Sequence, residues 1–596
     1  MALKETMAKT ADYQKKYDFY KKLGYSEVAA CVLACFNYGD SFFSMFVKEL
    51  GDENILQKIY DFVGDDDIET VNKKIREKYA PKLDIFRDGA SRTGGIRLTK
   101  AARPPQMDAA IAGAPMPMEN AVMLESIEES GIPPEMQEDL SSDSYELIEE
   151  KDAKGVFTAP TSTFRMTTTT ASMGIVMNQI RSGRPVDMSQ VRIEEILNYF
   201  DYQAEKPKDD VFKISTETFD KSDDKKLLYI NAQAKSEIKE HQNIILLLDV
   251  SGSMGSNAET TQQAIAVIVS KLKPGDIISL VTYSSNDETV LKNYAIRNDS
   301  DREYLMGKLM TLEITGCTYG SAGIETAYEI GKKNYDKDWN NQVILITDGD
   351  LNFGITEKGG LENLIEEKKK ENLFLSVIGT GLYNYQDEKL EVLSKHGNGT
   401  YCVVNSLEDV EESIDKRYES LTNIVAKDVK AQVEFNPKFV KEYRLLGYEN
   451  RELTHEDFKN DKVISEPYGS GGHGVALYEL TMNNGENVES ELKYQTPTIN
   501  DSDELCTVKI RYKEPLADTS HEIEQAVKMD GGDSKNAHLA YLLYCVSEKL
   551  RGSDKLDAAD AEFIQKALAE QSYAEFADLN GEKLETFIKA YQTLTK

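Results

Sequence analysis

Residues 243–255 read NIILLLDVSGSMG. The continuous apolar run from Ile244 to Leu248 describes a strand buried on both faces of a mostly parallel sheet. Asp249 closes the run, and Ser251 and Ser253 follow as D-x-S-x-S, just before the helical pattern ETTQQAIAVIVSKL at 259–272. The next segments alternate in the same way. Strand candidates IISLVTYSS (277–285), QVILITDG (342–349), LFLSVIGTG (373–381) and GTYCVVN (399–405) are separated by amphipathic candidates such as DREYLMGKLMTL, SAGIETAYEIGKKNY and EKLEVLSKH. Residues 243–424 are therefore expected to form a doubly wound α/β domain, covered on both faces by helices.

Ligands of an open parallel sheet bind at the carboxyl ends of its strands. Two more segments reach that edge. ITGCTYGSAGIETAY (314–328) carries Thr318 on a Gly-rich loop before a helix, and ILITDGD (344–350) carries Asp348 at the end of an apolar strand. Taken singly, Asp249, Ser251 and Thr318 fit helix caps, and Asp348 fits a turn before Gly349. Taken together and in this order, Asp249, Ser251, Ser253, Thr318 and Asp348 supply two carboxylates and three hydroxyls. These are hard oxygen donors, suited to Mg²⁺ first, with Ca²⁺ or Mn²⁺ as alternatives, and not to zinc.

DVSGS, the G-x-T at Gly316–Thr318 and TDGD at Thr347–Asp350 resemble a von Willebrand factor A (VWA) domain. Its metal-ion-dependent adhesion site (MIDAS) is matched by Asp249, Ser251, Ser253, Thr318 and Asp348. The resemblance implies a Rossmann-like fold and a divalent metal held partly through water. It also implies one open coordination position for an Asp or Glu carboxylate of a partner protein. QVRIEEILNYFDY (190–202), AKDVKAQVEFNP (426–437), EYRLLGYENR (442–451) and ALYEL (476–480) are similar to the bacterial YfbK-type VWA proteins, over about residues 160–550. One stretch departs from that family: TTTTAS at Thr167–Ser172 stands where an acidic DVDTAS-like stretch is usual.

Outside the central domain, residues 1–88 show helical spacing, with Ser26 as a cap before EVAACVLACF and Cys31 and Cys35 on one helix face. Residues 89–160 hold seven of the fifteen prolines together with acidic, Met and Ala residues, and are expected to be a flexible acidic linker. Residues 161–242 read as helices followed by strands, 425–521 as β-rich, and 522–596 as helical. The strands on either side of the central domain are expected to pair into one sandwich-like β domain with the VWA domain inserted between its halves.

The chain of 596 residues carries a net charge of −33, which argues against general nucleic-acid binding and against an anionic membrane surface. Six scattered cysteines without a CxxC pair fit a reducing compartment. Neither a signal peptide nor a run of ~20 apolar residues is visible, so a cytoplasmic location is expected. G-x-G-x-x-G at Gly469–Gly474 is followed by a strand pattern and not by the helix a dinucleotide site needs; a flexible hairpin is expected there, with His473 solvated in the turn. No phosphate-binding G-x-x-x-x-G-K-[ST], nucleophile elbow or HExxH occurs.

The expected function is a non-enzymatic, metal-dependent protein-binding scaffold. An adaptor for a MoxR-type AAA+ ATPase is an alternative suggested by the family. The rival class is a metal-dependent hydrolase, which needs a general base near the ion, and Asp350 is the one obvious extra carboxylate.

Overall fold

The computed structural model describes residues 11–51, 53–64, 68–79, 145–284, 287–316, 320–349, 358–368, 370, 372–381, 386–483, 502–529 and 534–594. Four strands precede the central domain: β1 (Lys154–Gly155), β2 (Thr161–Arg165), β3 (Phe212–Asp220) and β4 (Lys225–Ala234). Six belong to it: β5 (Gln242–Asp249), β6 (Ile277–Tyr283), β7 (Asp287–Ala295), β8 (Asn340–Thr347), β9 (Phe374–Gly379) and β10 (Asn398–Val403). Seven follow: β11 (Ile424–Phe435), β12 (Val440–Leu446), β13 (Glu452–Leu453), β14 (Tyr468–Gly469), β15 (His473–Met482), β16 (Glu504–Lys513) and β17 (Ser520–Lys528).

The central sheet has the order β10-β9-β8-β5-β6-β7. All its pairings are parallel except that of the edge strand β7 with β6. β5 is buried along its whole length, and its side chains divide by parity between two cores. Ile244, Leu246 and Leu248 face the helices Ala258–Lys271 and Asp299–Leu309, while Ile245 and Leu247 face the helix Gly320–Lys333 and Leu390 and Leu393 of the helix Asp387–His396. β7 was not among the expected strands. Its sequence DETVLKNYA is exposed or half-buried throughout, so it lacks the apolar run that marks its neighbours. As an antiparallel edge it needs only one hydrogen-bonded flank.

The outer strands form two antiparallel sheets with the orders β1-β12-β15-β4-β3 and β13-β2-β11-β16-β17. Each mixes strands from before and after the central domain, so that domain is inserted into a β sandwich. Phe164, Leu228, Ile230, Val433, Tyr478 and Val508 fill the space between the sheets. Two boundaries differ from expectation. Residues 145–160, placed in the linker, include β1, which pairs with β12, and Val156, which is buried in the sandwich core; residues 89–144 of that linker lie outside the described residues. The C-terminal helical region starts later than expected, because residues 522–528 still belong to β17 and the helix Lys535–Arg551 follows.

The Gly-rich turn is packed and not flexible. A Cβ on Gly474 would stand 2.1 Å from the Tyr468 hydroxyl, so only glycine allows that approach. His473 is buried, not solvated, with Nε2 3.0 Å from the Phe200 carbonyl. Burial first, and then the nearby Arg417 charge, push its pKa down to about 4.

The helix Ile193–Tyr199 lies at the junction of the domains and all its residues are buried. Buried Arg451 binds Glu194 at 3.0 Å, Glu195 at 2.9 Å, Glu391 at 2.8 Å and Glu466 at 2.5 Å. Arg192 binds Glu195 and Asp387, both at 2.6 Å. Glu391 and Asp387 belong to the central domain, while Arg451 and Glu466 belong to the sandwich. The network therefore joins the two domains through charges that cannot separate without being left unpaired. The C-terminal helix Lys535–Arg551 packs against the same short helix, and the helices Ala558–Glu570 and Glu582–Leu594 pack in turn against Lys535–Arg551.

The N-terminal helices Ala11–Lys22, Glu27–Cys35, Ser41–Leu50 and Ile55–Val63, with residues 68–79, share one continuous core with the central domain. Ser26 caps the second of these, accepting the Ala29 N–H. Buried Gln262 is the main polar peg, donating to Tyr20 Oη, Leu33 O and Phe36 O and accepting from the Tyr38 N–H. Among the described residues, no helix is long and apolar enough to cross a membrane.

Candidate functional site

In the central sheet, β5 leads to β6 on one side while β8 lies on the other, so the β5–β8 boundary is the switch point where a crevice opens at the carboxyl edge. Asp249 ends β5 and Asp348 follows β8, which brings both carboxylates to that crevice. Asp249 is 0% and Asp348 1% exposed. Asp249 Oδ1 accepts the Ser251 N–H at 2.9 Å, and Oδ2 accepts the Thr347 hydroxyl at 2.8 Å. The Thr347 hydroxyl in turn accepts the Gly349 N–H at 3.0 Å, so the T-D-G turn is tied to β5 through one threonine. Gly349 has φ +86°, and a Cβ there would meet Gln386 at 3.0 Å, a double requirement for glycine.

Ser251 and Ser253 point their hydroxyls at each other, 3.1 Å apart, with Ser251 buried and Ser253 exposed. The third loop is fixed by its backbone: the Thr315 N–H donates to Val250 O at 2.8 Å and the Gly252 N–H to Gly316 O at 3.2 Å. Thr318 itself, like Asp350, lies outside the described residues. Thus Asp249, Ser251, Ser253 and Asp348 come together, and the segment leading to Thr318 is held beside them.

Two carboxylates buried this closely repel. Burial, and then the Asp348 charge, push the pKa of Asp249 up to about 7. Among the described residues Asp249 has no lysine or arginine partner, and its hydrogen bonds come from a backbone N–H and a neutral hydroxyl. A divalent cation would relieve that repulsion, and the donor set of carboxylates and hydroxyls fits a hard one. The described residues contain no group of three or more His, Cys, Asp and Glu that could hold a metal.

Sequence reasoning missed what flanks this crevice. Residues 36–40 and 72–76 of the N-terminal module face Gly255–Glu259 across a cleft of about 480 Å³ lined by Asn37, Asp40, Arg76, Gly255 and Ser256 among others. Gly39 forms an isolated bridge with Glu313, and Ser44 Oγ donates to Leu312 O at 2.6 Å, just ahead of the third loop. The buried Gln262 is the signal that could have exposed this docking, but in a helix pattern it reads as an ordinary surface residue.

Three family descriptions match the chain: "von Willebrand factor" over residues 139–228, "von Willebrand factor type A domain" over 243–416, and "Uncharacterized protein YfbK, C-terminal" over 420–594. YfbK of Escherichia coli (strain K12) is 30% identical over 451 residues, which is 72% of this chain and 78% of that protein. This chain belongs to the YfbK family of VWA proteins. The matched family segments leave out the N-terminal helices of this YfbK-family chain. A second relative, inter-alpha-trypsin inhibitor heavy chain H1 of Sus scrofa, is 24% identical over 200 residues, 33% of this chain and 22% of that one. Among solved structures, a von Willebrand factor type A protein from Catenulispora acidiphila aligns with 14% identity and a TM-score of 0.35, covering 63% of this chain and 89% of that one.

Proposed function

We propose that this chain is a metal-dependent protein-binding scaffold whose VWA domain holds a divalent cation, Mg²⁺ first, at the carboxyl edge of its central sheet. The observation that carries the reading is the pair of buried carboxylates, Asp249 and Asp348, at the switch point beside the Ser251 and Ser253 hydroxyls. VWA domains generally serve protein interaction, which supports the same reading. Asp249, Ser251, Ser253 and Thr318 would hold the ion directly or through water, and Asp348 would orient a bound water and balance the charge. When bound, the ion supplies a Lewis-acidic position open to a carboxylate from outside. Thr347 fixes the Asp249 carboxylate, and the Ser251 N–H fixes its other oxygen, so the site is set before a partner arrives. Ser253 is the exposed member and marks the side from which an Asp or Glu of the partner would approach.

The placement of the six histidines favours binding over hydrolysis. His241 lies tilted against Trp339, His396 lies against Glu366, His455 against Thr161 and Gln432, His473 against Phe200, His521 stacks on Tyr512 and His538 on Phe219. None of these contacts is with the crevice, so no imidazole is in place as a general base.

Calorimetric titration with Mg²⁺ and Mn²⁺ tests the reading, together with capture of partners in Mg²⁺ against chelator. Asp249→Ala is expected to abolish metal binding and metal-dependent capture. Unchanged metal affinity and unchanged capture in that variant would sink the proposal.

A further inference from the structure

The turn that carries Asp348 rests on the start of the helix Asp387–His396. A Cβ on Gly349 would stand 3.0 Å from Gln386 Cβ, 3.1 Å from Leu390 Cγ and 3.2 Å from the Gln386 carbonyl oxygen, so the turn has no room to move toward that helix. The Gln386 N–H donates to the Asp348 carbonyl at 3.4 Å. Asp387 is the first residue of the helix, and its side chain is buried. Its carboxylate accepts from Arg192 Nη1 at 2.6 Å, from Arg192 Nη2 at 3.2 Å and from the Tyr401 hydroxyl at 2.7 Å.

Arg192 does not belong to the central domain, which the family match places at residues 243–416. It is itself fixed at both ends. Its backbone N–H donates to Ser172 Oγ at 3.1 Å and its Nε to Glu195 Oε1 at 2.6 Å, while the Ser172 N–H donates to Glu195 Oε2 at 2.9 Å. Ser172 closes the TTTTAS stretch. A buried ion pair adds little stability over an apolar pair of the same size. What a forked guanidinium adds is fixed geometry, since its parallel donors hold a carboxylate in one orientation. Here that geometry passes from the flanking region to Asp387, from Asp387 to the first turn of its helix, and from that turn to Asp348. Groups behind a metal ligand set its orientation and with it the affinity of the site.

We propose that Arg192 is a positioning residue of the metal site: by pinning Asp387 it sets the turn that carries Asp348, so the ion is held at full affinity only while the flanking segment is seated on the central domain. This rests on the metal-holding reading above.

The test uses the full-length chain and Mn²⁺ alone, with affinity read by calorimetry and the surroundings of the bound ion by its paramagnetic resonance line shape. Arg192→Met removes a cation, which by charge alone would strengthen the binding of another cation. Positioning gives the opposite sign: binding is expected to weaken about three- to tenfold, with a changed line shape. Arg417→Met is the control. It also removes a buried cation at this joint, but Arg417 donates to the carbonyls of Asn198 and Tyr199, at 3.0 and 2.7 Å. That variant should keep or raise the affinity and keep the wild-type line shape. Wild-type affinity and line shape in Arg192→Met overturn the proposal, as does tighter binding, which would mean that Arg192 acts by charge alone. An equal loss in Arg417→Met overturns it too, since the joint would then be merely loosened. Should Arg192→Met fold poorly, Arg192→Lys keeps the charge and breaks the fork, and wild-type affinity and line shape there overturn the proposal equally. Absence of Mn²⁺ binding by the wild type removes the metal reading itself, a result distinct from a wild type that binds and an Arg192→Met that binds as well.

Discussion

On the proposed reading, Asp348 and Asp249 set metal-free stability against ion affinity. Burying two like charges side by side is unfavourable until something neutralises them. Asp348→Asn keeps the shape and removes one charge. The variant is expected to melt at a higher temperature than wild type in chelator, and to show little of the Mg²⁺ stabilisation expected of the wild type if the pair holds the ion. A thermal-shift titration reads both effects, and a metal-free variant less stable than wild type would contradict the repulsion argument. His473 illustrates the opposite case, a base kept neutral. Its unfolded form takes a proton near pH 6.5, while the folded form resists until about 4, with Arg417 and Lys583 opposing the proton and Asp201 favouring it. Unfolding therefore takes up a proton in that window, and the stability due to a neutral His473 is lost as the pH falls from 6.5 to 4. The loss is roughly 3 kcal/mol at most. Denaturant midpoints measured from pH 7 to 4.5 should fall less steeply in His473→Gln than in wild type.

At the scale of elements, the helix Ile193–Tyr199 shows what pattern reading can and cannot reach. The segment QVRIEEILNYF is legible as a helix, but its charges read as a solvated face, whereas Arg192, Glu194 and Glu195 are all buried in the Arg451 network. Their partners lie in the central domain and the sandwich, hundreds of positions away, and a local pattern holds no trace of them. The same holds for Gln262 and the docking of the N-terminal helices. The apolar strands β5, β8 and β9 were legible because burial on both faces erases alternation; β7 was not, because an exposed edge leaves no such mark. Of the candidate site, the loops carrying Asp249, Ser251, Ser253 and Asp348 were legible from their order along the chain, while Thr347 reaches Asp249 only through the folded geometry. Arg451→Met follows from the network: it takes a cation from buried Glu194, Glu195 and Glu466 and half-buried Glu391, leaving Glu195 only Arg192, and is expected to cost about 3–5 kcal/mol. A urea midpoint unchanged from wild type would show that the network is dispensable.

For the whole molecule, the same substitution has a second consequence. Trp339 is the only tryptophan and lies where the central domain meets the sandwich, in a cavity of about 470 Å³ bordered by Lys235, Asn423 and Leu516. With the domains joined through Arg192 and Arg451, tryptophan fluorescence and far-ultraviolet circular dichroism should report one unfolding transition in wild type. In Arg451→Met the two transitions should separate. Two coincident curves in the variant would place the coupling elsewhere, for instance in the C-terminal helices.

The insertion also fixes how the molecule bears mechanical load. The central domain is attached to the sandwich at the amino edge of its sheet, through β4 into β5 on one side and the helix Tyr418–Thr422 into β11 on the other. The Tyr418 hydroxyl donates to Gln242 at 3.0 Å, which holds these two tethers side by side. The crevice lies at the far end of the same strands, about 25 Å away for an eight-residue strand at ~3.3 Å per residue. A pull on anything held there would run along the strands and across their hydrogen bonds, loading whole ladders in shear instead of peeling them one bond at a time. On the proposed reading, the load of a held partner would enter the domain at one end of β5 and leave it at the other.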